Sequence, residues 1–246
     1  MIAGGLALST APALALPEAE PAKTFTKKTT PPPPGVFGSL ELRTNARKSD
    51  AEWQRVFARI QDEAGTYKEC DDRQGTCHPA LRKWRNAIKR MKGLVGHALL
   101  SAVNVQINRL IRYRNDKRAF GKTDHWASPV ESLTGFGDCE DFAILKYVTL
   151  TELGFSDERL KIVVVKDQSR GLGHAVLAVR TGTQIDILDN LAPQPLQHTE
   201  IVSYKPVYSV NRQGRWLNLA VRKRTLQLAE SPTQVKQVKR ARRHDG

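Results

Sequence analysis

Hydrophobic periodicity changes once along this chain, and the change falls near Gly154. Before it, apolar residues recur at three- and four-residue intervals. "SDAEWQRVFARIQDEA" opens with a capping Ser or Asp and sets Trp53, Val56, Phe57 and Ile60 on one helical stripe. "LRKWRNAIKRM" repeats the pattern with Trp84, Ile88 and Met91. "GHALLSAVNVQINRLIRYRND" extends it through Leu99, Leu100, Val103, Ile107, Leu110 and Ile111. Such stripes are core faces. "KTDHWASPVESLTGFG" breaks the period and reads as a loop. It runs into Cys139, after which Phe142, Leu145, Thr149 and Leu153 predict a further helix stopped by Gly154. Beyond it, "KIVVV", "HAVLAVR", "QIDILD", "VYSV" and "RWLNLAV" are short β-branched runs separated by turns such as "RTGT" and "NRQG". Helices followed by antiparallel strands define an α+β domain, with N-terminal helices packed on an antiparallel sheet.

The ends of the chain differ in composition. Residues Ile2 to Leu16 are apolar and small, and Ala13-Leu14-Ala15 fits a signal-peptidase site, although no Lys or Arg precedes the run. Residues 1–16 are therefore expected to be a signal peptide and 17–36 a Pro/Lys-rich linker. The folded domain is expected over 37–221. A basic tail follows over 222–246, with eight Lys/Arg against Glu230 and Asp245. No helix-turn-helix, zinc finger or aromatic RNA platform accompanies that tail, so no specific nucleic-acid partner is expected. No other stretch approaches the ~18 apolar residues of a membrane span. Export would place the protein in an oxidising compartment, where Cys70 and Cys77, bracketing "CDDRQGTC", are a candidate disulfide. A zinc site of Cys70, Cys77 and His78 is the alternative, but it lacks an evident fourth ligand. Either pairing leaves Cys139 over.

Cys139 stands where a Gly-containing loop enters a helix, His174 opens a strand, and Asp189 ends the next one. If those strands pair through "RTGT", the imidazole and carboxylate meet at one end of the sheet. The helix N-terminus can then present the thiol to them as nucleophile, base and orienting acid. A helix N-terminus lowers a thiol pKa and offers N–H groups to an oxyanion. The neighbouring charges oppose this. Asp138, Glu140 and Asp141 crowd Cys139 in a chain whose formal net charge is +14, and carboxylates raise a thiol pKa. A bound cation would reverse that field. Acids that merely complement the helix dipole need no metal.

The text "WQRV" at Trp53, "VNVQIN" at Val103, "DHWASPVE" at Asp124, "GDCEDFAILKY" at Gly137, "GHAVLAV" at Gly173 and "ILDN" at Ile187 resembles the bacterial transglutaminase-like cysteine proteinases, from about residue 40 to 220. The resemblance implies a papain-like, transglutaminase-like fold with Cys139 as nucleophile, His174 as base and later acid, and Asp189 as orienter. It implies calcium (Ca2+) held by acids beside the nucleophile, with Asp138 and Glu140 the first ligands to name and Asp141 the next. It also implies a periplasmic protease that cuts a large surface adhesin near its N-terminus and so promotes biofilm dispersal; a monomer is the default expectation. An inner-membrane c-di-GMP receptor would be its regulator. Trp126, in the loop before the nucleophile, is an oxyanion candidate by analogy with related enzymes, with core packing as its other reading. His125 competes with His174 as base, and Asn190 reads equally as a turn residue. Transglutaminase or amidase chemistry with the same three residues, and a non-catalytic binding module, remain the alternative functions.

Overall fold

A computed structural model describes residues 35–44, 51–71 and 76–221 of the chain. The expected signal peptide, most of the linker and the basic tail lie outside the described residues. The first strand is β1 (Leu40–Thr44), followed by α1 (Ala51–Asp62), α2 (Ala64–Glu69), α3 (Pro79–Met91), α4 (Gly96–Leu110), α5 (Asp116–Ala119), α6 (Pro129–Thr134) and α7 (Cys139–Glu152). Then come β2 (Leu160–Asp167), β3 (Leu172–Thr181), β4 (Gln184–Leu188), β5 (Leu196–Gln197), β6 (Tyr204–Asn211) and β7 (Gly214–Leu219). The strands form one antiparallel sheet in the order β1-β7-β6-β2-β3-β4-β5. The α+β class and the helices-on-sheet layering follow the change of periodicity.

The apolar stripes become the core as read: Trp53, Val56, Phe57 and Ile60 of α1 and Trp84, Ile88 and Met91 of α3 are buried. The helix after Cys139 goes further. From Asp141 to Leu150 every residue is buried, because α4 and α6 pack on one side of it and β2 and β3 on the other. The expected single stripe describes only one of its faces. Trp84 Nε1 donates to Thr149 Oγ1 at 2.8 Å, which satisfies the one polar group of the indole inside this layer. At the far end Gly154 takes φ +94°. There Phe155 N–H bonds Leu150 O and Gly154 N–H bonds Thr151 O, both at 3.0 Å. This double bond pattern closes the helix where the glycine predicts.

Several features depart from the expectation. The presumed loop 122–137 contains α6, started by Pro129 at its first turn and by a Ser128–Glu131 capping box. β1 was not expected, and pairs with β7 from Leu40↔Leu219 to Thr44↔Arg215. Its "LELRT" is too short and too charged to read as a strand alone. Val36 is already 2% exposed, so the packed chain includes at least this residue before the expected start at Phe37. Val36 and Tyr204 cover the sheet face of Val163, Val165, Val176 and Ile187, opposite the helices.

Cys70 and Cys77 form a disulfide, while His78 caps α3 by accepting Ala80 N–H at 3.3 Å. The zinc alternative falls with that pairing. Closing an eight-residue loop stabilises by about 2–3 kcal/mol. The Cys70→Ser/Cys77→Ser variant is therefore expected to melt ~5–10 °C lower. Calorimetry checks this, and an unchanged Tm would remove the pair from the stability account.

Candidate active site

β2 pairs with β3 and β3 with β4, which sets His174 opposite Val165 and carries Asp189 one residue past the end of β4. The two residues project to the same sheet face, and His174 Nε2 lies 2.8 Å from Asp189 Oδ1. Both are buried. Leu191 N–H donates to Asp189 Oδ1 at 2.9 Å and Tyr204 Oη–H to Oδ2 at 2.7 Å. Burial alone would raise the carboxyl pKa; the bonds from His174, Leu191 and Tyr204 outweigh it and hold Asp189 below the ordinary carboxylate value. A carboxylate in that state only accepts, so Nε2 carries the proton and Nδ1 is left as the free acceptor. The Tyr204 ring stands edge-on to the imidazole, centroids 5.6 Å apart.

Cys139 is the first residue of α7 and the one free cysteine of the three. It shares a cleft of about 660 Å³ with His174, Asn108, Tyr113, Arg170 and Asn190. The structure thus brings Cys139 and His174 to one cavity and Asp189 directly behind His174. The thiol Sγ–H donates to Glu140 Oε2 at 3.1 Å. Burial, then Glu140 and Asp138, push its pKa well above the ordinary thiol value, while the Ala175 N–H beside His174 pulls it back. These charges favour the thiol over the thiolate.

The acids beside it form a larger cluster than the sequence suggested. Asp116 and Asp124 join Asp138, Glu140 and Asp141, in overlapping groups of three whose oxygens, with the Cys139 sulfur in one group, lie within 4.8 Å of one another. Asp141 has both oxygens engaged, by Ala127 N–H at 2.7 Å and by Asp138 N–H at 3.0 Å, the latter one half of a capping box. Its part is to tie the preceding loop to the start of α7. Asp138 and Asp116 differ from it. Asp138 Oδ2 accepts Asp116 N–H at 3.3 Å and Asp116 Oδ2 accepts His125 N–H at 2.5 Å. The second oxygen of each is buried with no donor among the described residues. Burial and the neighbouring acids push Asp138 up to about 8 and Asp116 to about 6, and Glu140 rises for the same reasons. Two orphaned buried carboxylate oxygens inside an all-oxygen donor set fit a hard divalent cation such as calcium. Asp116, Asp124, Asp138 and Glu140 are able to hold it, and Asp141, grouped with Asp116 and Asp138, lies within reach as well.

Trp126 does not reach the cleft. Its indole Nε1–H is donated to Asp124 Oδ1 at 3.0 Å, and its ring packs edge-on against Trp53. The packing reading holds, and the oxyanion assignment is corrected. His125 is buried beside Arg55, Lys122 and Glu131 and does not line the cleft. It is set apart from Cys139, and its backbone serves Asp116. Asn190 does line the cleft, with Oδ1 buried and unpaired. Sequence reasoning missed Asp116, Asp124 as a charge partner, Asn108 and Tyr204. Asn115-Asp116 reads as an ordinary helix start, Asn115 indeed capping α5, and nothing in "SYKPVYSV" marks Tyr204 as a partner of Asp189.

No curated protein matches the chain. Among solved structures, Legionella pneumophila LapG is 33% identical with a TM-score of 0.53, covering 62% of this chain and 86% of that one. An EGTA-treated form of the same protein gives 33% and 0.52, over 62% and 83%. Its calcium-bound form gives 32% and 0.55, over 67% and 92%. The bacterial transglutaminase-like cysteine proteinase family (BTLCP) matches residues 58–224, most of the folded chain, and this protein belongs to that family.

Proposed function

We propose that this protein is a calcium-dependent, periplasmic cysteine endopeptidase that cuts the N-terminal region of a large surface adhesin and releases it. The observation that carries the proteolytic part is the shared cleft. Cys139, the first residue of α7, and His174, tied through Nε2 to Asp189, both line it. His174 Nδ1 takes the Cys139 proton, and the sulfur attacks the scissile carbonyl. The oxyanion faces the first N–H groups of α7. The imidazolium then gives its proton to the leaving amine, and a thioester remains on Cys139. His174 next takes a proton from water, which attacks the thioester and frees the thiol. Asp189, fixed by Leu191 N–H and Tyr204 Oη–H, holds the tautomer and stabilises the imidazolium throughout. Calcium, when bound, supplies positive charge beside a thiol that the acids otherwise keep protonated.

The calcium assignment is supported by the orphaned oxygens of Asp116 and Asp138 and by the calcium-bound form of the Legionella protein. Export is supported by the apolar N-terminal run and the disulfide. The adhesin substrate, and an inner-membrane c-di-GMP receptor as regulator, are drawn from the family resemblance.

Purified protein mixed with an adhesin N-terminal fragment, with calcium or with excess chelator, tests the whole reading. Cleavage is expected only with calcium. Cys139→Ala and His174→Ala are each expected to lose ~10³-fold or more in kcat/KM, and Asp189→Asn ~10²-fold or more. Tyr204→Phe, which removes one of three donors to Asp189, is expected to lose about three- to tenfold. Cleavage by Cys139→Ala would sink the mechanism, and cleavage in chelator would sink the metal requirement.

Calcium binding should also depend on pH with a definite sign. Asp116 and Asp138 must shed protons to hold a cation, and their raised pKa values put that loss between about pH 6 and 8. Affinity by isothermal titration calorimetry is therefore expected to rise at least tenfold from pH 5.5 to pH 8. The folded pKa values lie above the unfolded ones, so the calcium-free protein loses stability as pH rises from about 4 towards 8. The calcium-induced gain in Tm is then larger at pH 8 than at 5.5. A pH-independent affinity would show that these two carboxylates do not ligate.

A further inference from the structure

The mechanism leaves one buried ionisable group unused. Lys146 follows Cys139 by seven residues, two turns along the same face of α7, and is wholly buried. Its Nζ has no hydrogen-bond partner among the described residues. On α4, which packs against α7, Asn104 and Asn108 stand four residues apart. Their amide nitrogens grip the loop beyond β4. Asn104 Nδ2 donates to Ala192 O at 2.9 Å, and Asn108 Nδ2 to Asp189 O at 3.1 Å and Ala192 O at 3.3 Å. The amide oxygens of both are buried without a donor. Lys146 sits on α7, which packs against α4, and the nearby Asp189 charge acts on it. The three orphaned atoms are complementary in kind, one multiple donor and two acceptors.

We propose that Lys146, Asn104 and Asn108 are positioning residues joined by one internal water, and that this network holds the Asp189–Ala192 loop so that Asp189 stays aligned on His174. The water accepts from Lys146 Nζ and donates its two protons to Asn104 Oδ1 and Asn108 Oδ1, which satisfies all three at once. The inference rests on the reading of His174 and Asp189 as catalytic partners. Burial lowers the Lys146 ammonium to about 7, against the pull of Asp189, so a lysine at this place costs stability that a methionine of similar length would not. A role in holding the loop accounts for that cost.

The test uses the full chain in calcium buffer with iodoacetamide as the probe. Cys139 is the only free thiol, so the alkylation rate reports one site. Lys146→Met and Asn104→Leu are each expected to slow alkylation about tenfold at neutral pH, with Tm unchanged or, for Lys146→Met, raised. The double variant is expected to be about tenfold slow in total, because both changes break one network. Multiplied losses near a hundredfold, or a wild-type rate in Lys146→Met, would overturn the proposal. His174→Ala separates the two readings. Should it alkylate at the wild-type rate, the catalytic assignment fails. Should it be slow while Lys146→Met is not, only the network fails. A high-resolution crystal structure of the unmutated protein decides the matter without any variant: a water within hydrogen-bond distance of the three atoms is expected, and a dry or apolar gap there rules the network out.

Discussion

α7 is enclosed over most of its length, with Asp141 through Leu150 buried, α4 and α6 against one side and β2 and β3 against the other. A helix so placed has no path for sliding or rolling that does not reopen the core, and cores packed at crystal-like density resist such openings. Its first residue is therefore fixed relative to β3, and β3 is in turn held by ladders on both sides. Cys139 and His174 inherit their geometry from these two elements and owe little to the loops around them. Reactive groups mounted this way keep sub-ångström alignment that loops alone rarely provide.

Two buried aspartates show how differently one side chain can be treated within the same site. Asp189 receives His174, Leu191 N–H and Tyr204 Oη–H, and its carboxylate form is stabilised despite burial. Asp138 Oδ2 accepts Asp116 N–H while Oδ1 has no partner among the described residues, and burial with the neighbouring Glu140 pushes its pKa up to about 8. The protein supplies donors enough for the first carboxylate and not for the second. Asp141 is an intermediate case, with two backbone donors among its like-charged neighbours. The helix N-terminus favours all of these acids, but by far less than their mutual burial costs.

Much of this was legible in the residues. Periodicity located the long helices and the longer strands, because burial of one face imposes a period that survives any tertiary context. The meeting of His174 and Asp189 followed from strand pairing through "RTGT" alone, since antiparallel register fixes which residues share a face. Legibility failed where the determinant was three-dimensional. β1 exists through its partner β7, and α6 lay hidden in a stretch whose Pro and Ser looked like loop residues but serve as its first turn and cap. Asp116 and Asp124 stand more than a dozen residues from Cys139, and only the folded loop over 112–128 delivers them to the cluster. Trp126 misled because position in the chain, just ahead of the nucleophile, said nothing about where its N–H would point.

The acids around Cys139 also bear on the chemical durability of the site. Oxidants such as peroxide attack the thiolate far faster than the thiol, and Cys139 has no neighbouring cysteine with which an oxidised sulfur could condense, since Cys70 and Cys77 are bonded to each other. A lone thiol is lost irreversibly once oxidised beyond the sulfenic acid. Burial and the adjacent Glu140 and Asp138 favour its protonated form. The cluster thus protects the sulfur chemically: the acids that oppose the thiolate also slow its oxidation.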